Sequence, residues 1–290
     1  MKKLFLFIFL MGGICCISKA DDTRDLGQIV VTPFRYQGSI VEASGDVQVI
    51  TSQDIQGSSA KTAIDLLRPL AGVNVSDWYG NGTRTAVDMA GFGEQAFLNT
   101  LVLVDGRRVN DVDLSGSDWS IIPVSEIERI EIVRSGSGAV LYGDNASGGV
   151  INIITKKGVG KPQVQVETSY GSYQYNDQRL SLNGSQDKLS YRVSGGRQST
   201  QGYRENSFSQ SEDLSARLGY EATDRLTWRF DTAWHGAEYG MPGALWQTQM
   251  DQDSRRYARY GRDHAINSDY YYLGGVTTDF NEFGKLDIDA

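Results

Sequence analysis

The chain has 290 residues, 40% of them hydrophobic, 33 glycines, two cysteines and a net charge of −8. That acidity excludes general nucleic-acid binding, which needs clustered Lys and Arg to meet phosphates. Both cysteines lie in the first 20 residues, so the remainder carries neither a disulfide nor thiolate chemistry.

Residues 1–20 read as a secretory signal peptide. Lys2 and Lys3 precede an apolar run over 4–11, and Ser18 and Ala20 are the small residues of a cleavage site after Ala20. The run is too short to span a bilayer. Its removal takes away three lysines and no acid, leaving the rest more acidic. Residues 21–34 are expected to be a flexible leader. Within it lies Gln28, Ile29, Val30, Val31 and Thr32, followed by Pro33. Three β-branched residues in succession favour an extended backbone, and Pro33 ends any pairing.

Residues 35–158 carry the pattern of a small α+β domain. Val47, Val49 and Ile50 predict a strand, and Thr51 or Ser52 the cap of a short helix. Ser59 is the predicted cap of a second helix over 60–68, with Ile64, Leu66 and Leu67 buried and Pro69 ending it. Strands follow over 70–75 and, by alternation, at Thr85, Val87 and Met89. Residues 101–104 lead into Asp105-Gly106, a two-residue hairpin signal, with 107–109 returning. In 125–157, Ile130 and Ile132 alternate with Glu131 as in a half-buried strand. Gly136, Gly138, Gly143, Gly148 and Gly149 then mark two tight turns before a buried strand over 150–155.

From 161 to 290 the sequence alternates apolar and polar residues. Val164 and Val166, Leu189 and Val193, Leu214 and Leu218, Trp228 and Phe230, and Leu286 and Ile288 each share a face opposite polar neighbours. A membrane strand with a wet lumen needs this period, although a half-buried soluble sheet gives it too. Short turns near 186–187, 222–224 and 281–283 contrast with long polar loops around 199–211 and 236–268, the asymmetry of outer-membrane barrels. Tyr170, Tyr173, Trp234, Tyr270 and Tyr271 suit interfacial belts.

The stretch 125–157, SEIERIEIVRSGSGAVLYGDNASGGVINIITKK, resembles the end of the plug domain of TonB-dependent outer-membrane receptors, whose pattern reads IERIEIVRG…ALYG…AIGGVINIITK. The segment from Leu101 to Asn110 is similar to that family's LVLVDGxRVN. The resemblance implies an α+β plug followed by antiparallel transmembrane β-barrel strands in a Gram-negative outer membrane. About seven strands are expected here, against roughly twenty-two in plugged transporters, so the chain is expected to be an incomplete barrel from a longer receptor. The resemblance makes Gln28 to Thr32 the TonB box, joining periplasmic TonB by strand addition. It implies energised import of a chelated nutrient, a ferric siderophore first and cobalamin as the alternative. A surface-binding module or truncated fragment would instead show no partner binding at 28–32. Arg134, Gly148 and Gly149 are expected to have structural roles in the plug. The family's other plug arginine is replaced by Ala90, which puts one plug-to-barrel latch in doubt.

Ligand contact is expected from Trp78 and Tyr79, and from Phe92, because each lies beside glycine in a plug loop. Tyr79 and Trp78 could equally pack on the barrel wall. Arg255, Arg256, Arg259 and Arg262, interleaved with Tyr257 and Tyr260, suit an anionic aromatic chelate; the alternative is a solvated loop balanced by Asp251, Asp253 and Asp263. No catalytic motif, cofactor site or metal-ligand set is recognised. His235 and His264 are read as loop residues, and 111–116 as a polar turn lacking a calcium-binding glutamate.

Overall fold

The computed structural model describes residues 29–290 apart from 36, 41, 42, 44, 113, 114, 135, 136, 282 and 283. The signal-peptide reading and Gln28 lie outside the described residues.

A five-stranded sheet organises the first half. Its order is β3 (Asp46–Ile50), β8 (Ile127–Arg134), β9 (Gly149–Thr155), β6 (Thr100–Val104) and β7 (Arg107–Arg108). All pairs are antiparallel except β6 with β9. Strands covered on both faces read as continuous apolar runs. Thus Val102 and Val104 of β6 join Ile130, Ile132 and Ile151 in one core cluster, while Leu101 and Leu103 join Val133 and Val150 in another. Helices α1 (Ser52–Gly57) and α2 (Ala63–Leu67) cover the first face through Ile55, Ile64 and Leu67. The hairpin turn uses Asp105 and Gly106, both at positive φ, as its two-residue length requires. A smaller hairpin pairs β4 (Asn74–Asp77) with β5 (Thr85–Asp88).

Several local expectations are corrected. Helix α2 starts at Ala63 and is capped by Thr62, not Ser59, because Asp65 at the third helical position returns the bond to Thr62 N. The strand expected over 70–75 begins at Asn74. β5 is buried throughout and does not alternate. Ser137 and Gly138, expected in the first glycine turn, instead open helix α3 (Ser137–Tyr142).

The second half is one antiparallel sheet with strands in chain order: β10 (Gln163–Gly171), β11 (Tyr175–Gln186), β12 (Leu189–Thr200), β13 (Ser209–Thr223), β14 (Leu226–Gly240), β15 (His264–Asp279) and β16 (Lys285–Asp289). β10 and β16 are its unjoined edges among the described residues. One face is apolar and exposed, with Val164, Val166, Leu180, Leu214, Trp228 and Phe230. The other buries Arg192, Asp231 and His235 against the plug. Strands of 15 residues, at about 3.3 Å per residue, outreach an apolar band about 25 Å tall even at a tilt of about 45°. The loops on one side are consequently shorter than expected, 201–208 and 241–263, since β13 and β14 continue through residues assigned to them. The longer loop contains helix α4 (Gln247–Gln252). No described helix is long and apolar enough to cross a membrane, which says nothing of crossing by strands.

Candidate functional site

The segment expected to be a flexible leader is docked from Ile29 onward. β1 (Ile29–Val30) pairs with β2 (Gly38–Ser39), and the turn between them lies on the second face of the plug sheet. Val30 and Thr32 are fully buried, yet Val30 joins neither core cluster. The anchor is polar. Glu131, also fully buried, accepts from Val31 N at 2.9 Å, Thr32 N at 2.8 Å and Thr32 Oγ1 at 2.6 Å, all on Oε2. Arg129 pairs with Oε1 at 2.8 Å. Asn152 Nδ2 donates to Thr32 Oγ1 at 3.1 Å, and Tyr142 OH to Thr32 O at 3.0 Å. Burial raises the Tyr142 pKa, so that phenol stays a donor. Glu131 is therefore not on a solvent face as its alternation suggests; the returning segment covers it.

The plug is tied to the barrel wall at several points. Glu126 and Arg192 form a buried two-bond pair at 2.7 and 2.9 Å. Arg217 reaches Asp105 at 2.6 Å and Asp231 at 3.0 Å. Asn267 Nδ2 donates to Asp118 Oδ2 at 2.9 Å, and the guanidinium of Arg107 lies 4.2 Å from the Tyr271 ring centroid. His235 is a buried strand residue, not a loop residue, 3.1 Å from Ser120 Oγ. No cluster able to hold a metal occurs among the described residues. Arg134 binds Asp46, Gln48 and the carbonyl of Ala71, all within the plug. Gly148 and Gly149 stand where a Cβ would lie 2.8 Å from Asn99 O and 2.7 Å from Val133 O.

The ligand-facing candidates are spread over two plug loops and one barrel loop. Asp77 holds the first plug loop by accepting from Tyr79, Gly80 and Gly82 N–H groups. Trp78 packs edge-on against Phe97 at 5.2 Å, and Tyr79 stacks on the barrel residue Tyr239 at 5.9 Å. Asp88 holds the second loop, accepting from the N–H groups of Ala90, Gly91, Phe92 and Gly93. Burial alone would raise the Asp88 pKa, but those four donors outweigh it and the net shift is downward. Phe92 is 40% exposed on this loop. Arg255, Arg256, Arg259 and Arg262 are exposed on 241–263 and make no ion pair among the described residues, so Asp251, Asp253 and Asp263 do not balance them. Sequence reasoning missed Glu131, Glu126, Arg192 and Arg217; the polar residue inside an apolar alternation marks Glu131, Arg192 and Arg217, whereas Glu126 lies in a short 3-10 turn before β8 and has no such signal.

A small α+β domain seated against the lumenal face of an antiparallel, outwardly apolar sheet defines a plugged outer-membrane protein. Residues 39–150 match the family model described as TonB-dependent Receptor Plug Domain. The chain is 34% identical over 242 residues to the vitamin B12 transporter BtuB of Vibrio cholerae serotype O1, covering 81% of this chain and 38% of that one. The corresponding Vibrio vulnificus transporter is 28% identical over 284 residues, 94% of this chain and 44% of its own. The siderophore receptor PirA from Acinetobacter baumannii superposes with a TM-score of 0.63 at 27% identity, over 84% of this chain and 39% of that one. The chain belongs to the TonB-dependent receptors of the Gram-negative outer membrane, and it spans less than half the length of the relatives it matches.

Proposed function

We propose that this chain serves energised import of a chelated nutrient across the outer membrane, with a ferric siderophore as the favoured cargo. The observation that carries this reading is the segment 29–32, a two-residue strand running into a turn, held against Glu131 by the backbone donors of Val31 and Thr32. Those donors are the groups that strand addition to a periplasmic partner would use. Ligand binding at the outer loops and plug tips, through Trp78, Tyr79, Phe92 and the four arginines of 241–263, would precede release of Val31 and Thr32 from Glu131. TonB would then pair with the released strand and pull on the plug along its own chain. No covalent step is involved.

The test is Val30→Pro, which removes one N–H from the strand. Energised uptake should be abolished while ligand binding persists; unchanged uptake removes the segment from the mechanism. A corrinoid cargo is the second reading, favoured by the two Vibrio vitamin B12 transporters. Uptake of iron complexes against cyanocobalamin by cells expressing the receptor separates the two.

A further inference from the structure

Asp118, Ser120 and His235 form a hydrogen-bonded chain across the seam between plug and wall. Ser120 Oγ lies 2.5 Å from Asp118 Oδ1 and 3.1 Å from His235 Nε2. Ser120 N and Asn267 Nδ2 also donate to the Asp118 carboxylate, both at 2.9 Å. A carboxylate only accepts, so the Ser120 hydroxyl donates to Asp118. Its oxygen then accepts from His235, which places the proton of the neutral imidazole on Nε2. Nδ1 is left with its lone pair. It is buried and has no hydrogen-bond partner among the described residues.

That lone pair is where a second proton would land. His235 stands directly opposite Asp213 of β13 and Asp269 of β15. Asp118 acts on it from the plug, and Arg179 from β11. None of the three carboxylates is a ready partner for a new donor. Asp213 is bound to Arg179 at 2.8 Å, and Asp118 already accepts from three groups. Asp269 is exposed, where solvent and salt screen it. The ring itself is 3% exposed. A proton on Nδ1 therefore makes a buried cation with an unsatisfied donor, near the Arg179 cation. Parting plug from wall at this point lets water reach the ring.

We propose that His235 is a proton-operated catch: the neutral ring holds plug residues 118–120 to the wall, and protonation releases them. Trp119 stays with the plug, since its backbone N–H donates to Thr83 O at 3.0 Å and its indole N–H to Thr85 O at 2.9 Å. The catch thus parts the two domains here without unfolding either. The docked form holds the neutral ring, so the contact is complete at neutral pH and is lost as pH falls. Release needs neither cargo nor an energised partner, so its failure leaves the import reading untouched.

Ala237 lies two residues along the same face of β14 and is 5% exposed. In the detergent-solubilised chain, freed of residues 1–20 and with them both native cysteines, Ala237→Cys supplies the one thiol. Its maleimide labelling rate is divided by that of the urea-unfolded protein at the same pH. The quotient should rise about ten-fold from about pH 7.5 to about pH 5.5, a span that crosses the ordinary imidazole range and stays above the ordinary carboxylate range. His235→Gln offers Ser120 an N–H that does not titrate, so its quotient should change by less than about two-fold. Ser120→Ala, which lacks the acceptor, should label fast at both pH values. A near-UV circular dichroism spectrum like that of the wild type shows that the variants are folded. Imidazole nitrogen NMR reads the tautomer, because the chain has two histidines and the other, His264, is exposed. His235 should carry its proton on Nε2 at about pH 7.5. A proton on Nδ1 overturns the catch, and so does an acid response no larger in the wild type than in the Gln variant.

Discussion

Thr32 and Glu131 are 99 residues apart in the chain, yet one carboxylate oxygen of Glu131 takes both the backbone N–H and the hydroxyl of Thr32. With Val31 N it takes a third bond. Hydrogen bonds to a charged group contribute about 1.5–3 kcal/mol each, so this one side chain holds the segment more firmly than the two-residue pairing of β1 with β2.

Glu131→Ala should therefore undock the segment. In a Val31→Cys background, labelling by a membrane-impermeant maleimide should accelerate about ten-fold or more, since a tenfold change needs only about 1.4 kcal/mol. Thr32→Val, which loses only the hydroxyl bond, should give a smaller increase. Equal labelling in all three proteins would show that the carboxylate does not hold the segment.

The Glu126–Arg192 pair should behave as a buried clamp, because both side chains are almost wholly covered. Arg192→Met strands a carboxylate and should cost about 3–5 kcal/mol of stability. Glu126→Gln combined with Arg192→Met should recover much of that loss. Denaturant midpoints of the detergent-solubilised protein measure both; a neutral single variant contradicts the clamp.

Asp88 predicts a pH dependence in the second plug loop. Its folded pKa lies below the ordinary carboxylate value, so its contribution is fully present above that value and is lost as pH falls through the folded one. Amide exchange at 90–93, corrected for intrinsic rates, should be protected at pH 6 and lose protection below about pH 4. Asp88→Asn should show weaker protection at pH 6 and little further change.

Gly148→Ala and Gly149→Ala should each destabilise the plug by about 1–3 kcal/mol. At Gly148 the new methyl meets the carbonyl of Asn99, a backbone atom that cannot swing away. At Gly149 it meets Val133 O and also requires φ near 134°, which side chains rarely adopt. Differential scanning calorimetry decides this; wild-type melting of both variants would show that the strand shifts freely.

Much of the fold was legible because it repeats. The alternation at Val164 and Val166, or Trp228 and Phe230, recurs strand after strand, and the short turns fix which strands are neighbours. The same rule misplaces Glu131, since its cover comes from residues far upstream and no local pattern encodes that return. The cap of α2 was recoverable: Ser59 and Thr62 are both capping residues, but only Thr62 has Asp65 three positions on. Glycine density predicts turns around 138, whereas Gly138 lies in a helix where a Cβ would stand 2.6 Å from Val150 Cγ2. Close packing, not a turn, accounts for that glycine. The arginines of 241–263 were visible as a set, while the bond from Arg204 to the carbonyl of Tyr257 was not, because it joins loops 53 residues apart.

The docked segment has a consequence for supply and demand in the periplasm. Its N–H groups cannot serve an internal acceptor and an incoming strand at once, so occupancy is exclusive. Under the import reading, idle receptors would withdraw nothing from a limited stock of energising protein. A cell could then hold many copies of many such receptors and leave the stock to those that have caught cargo.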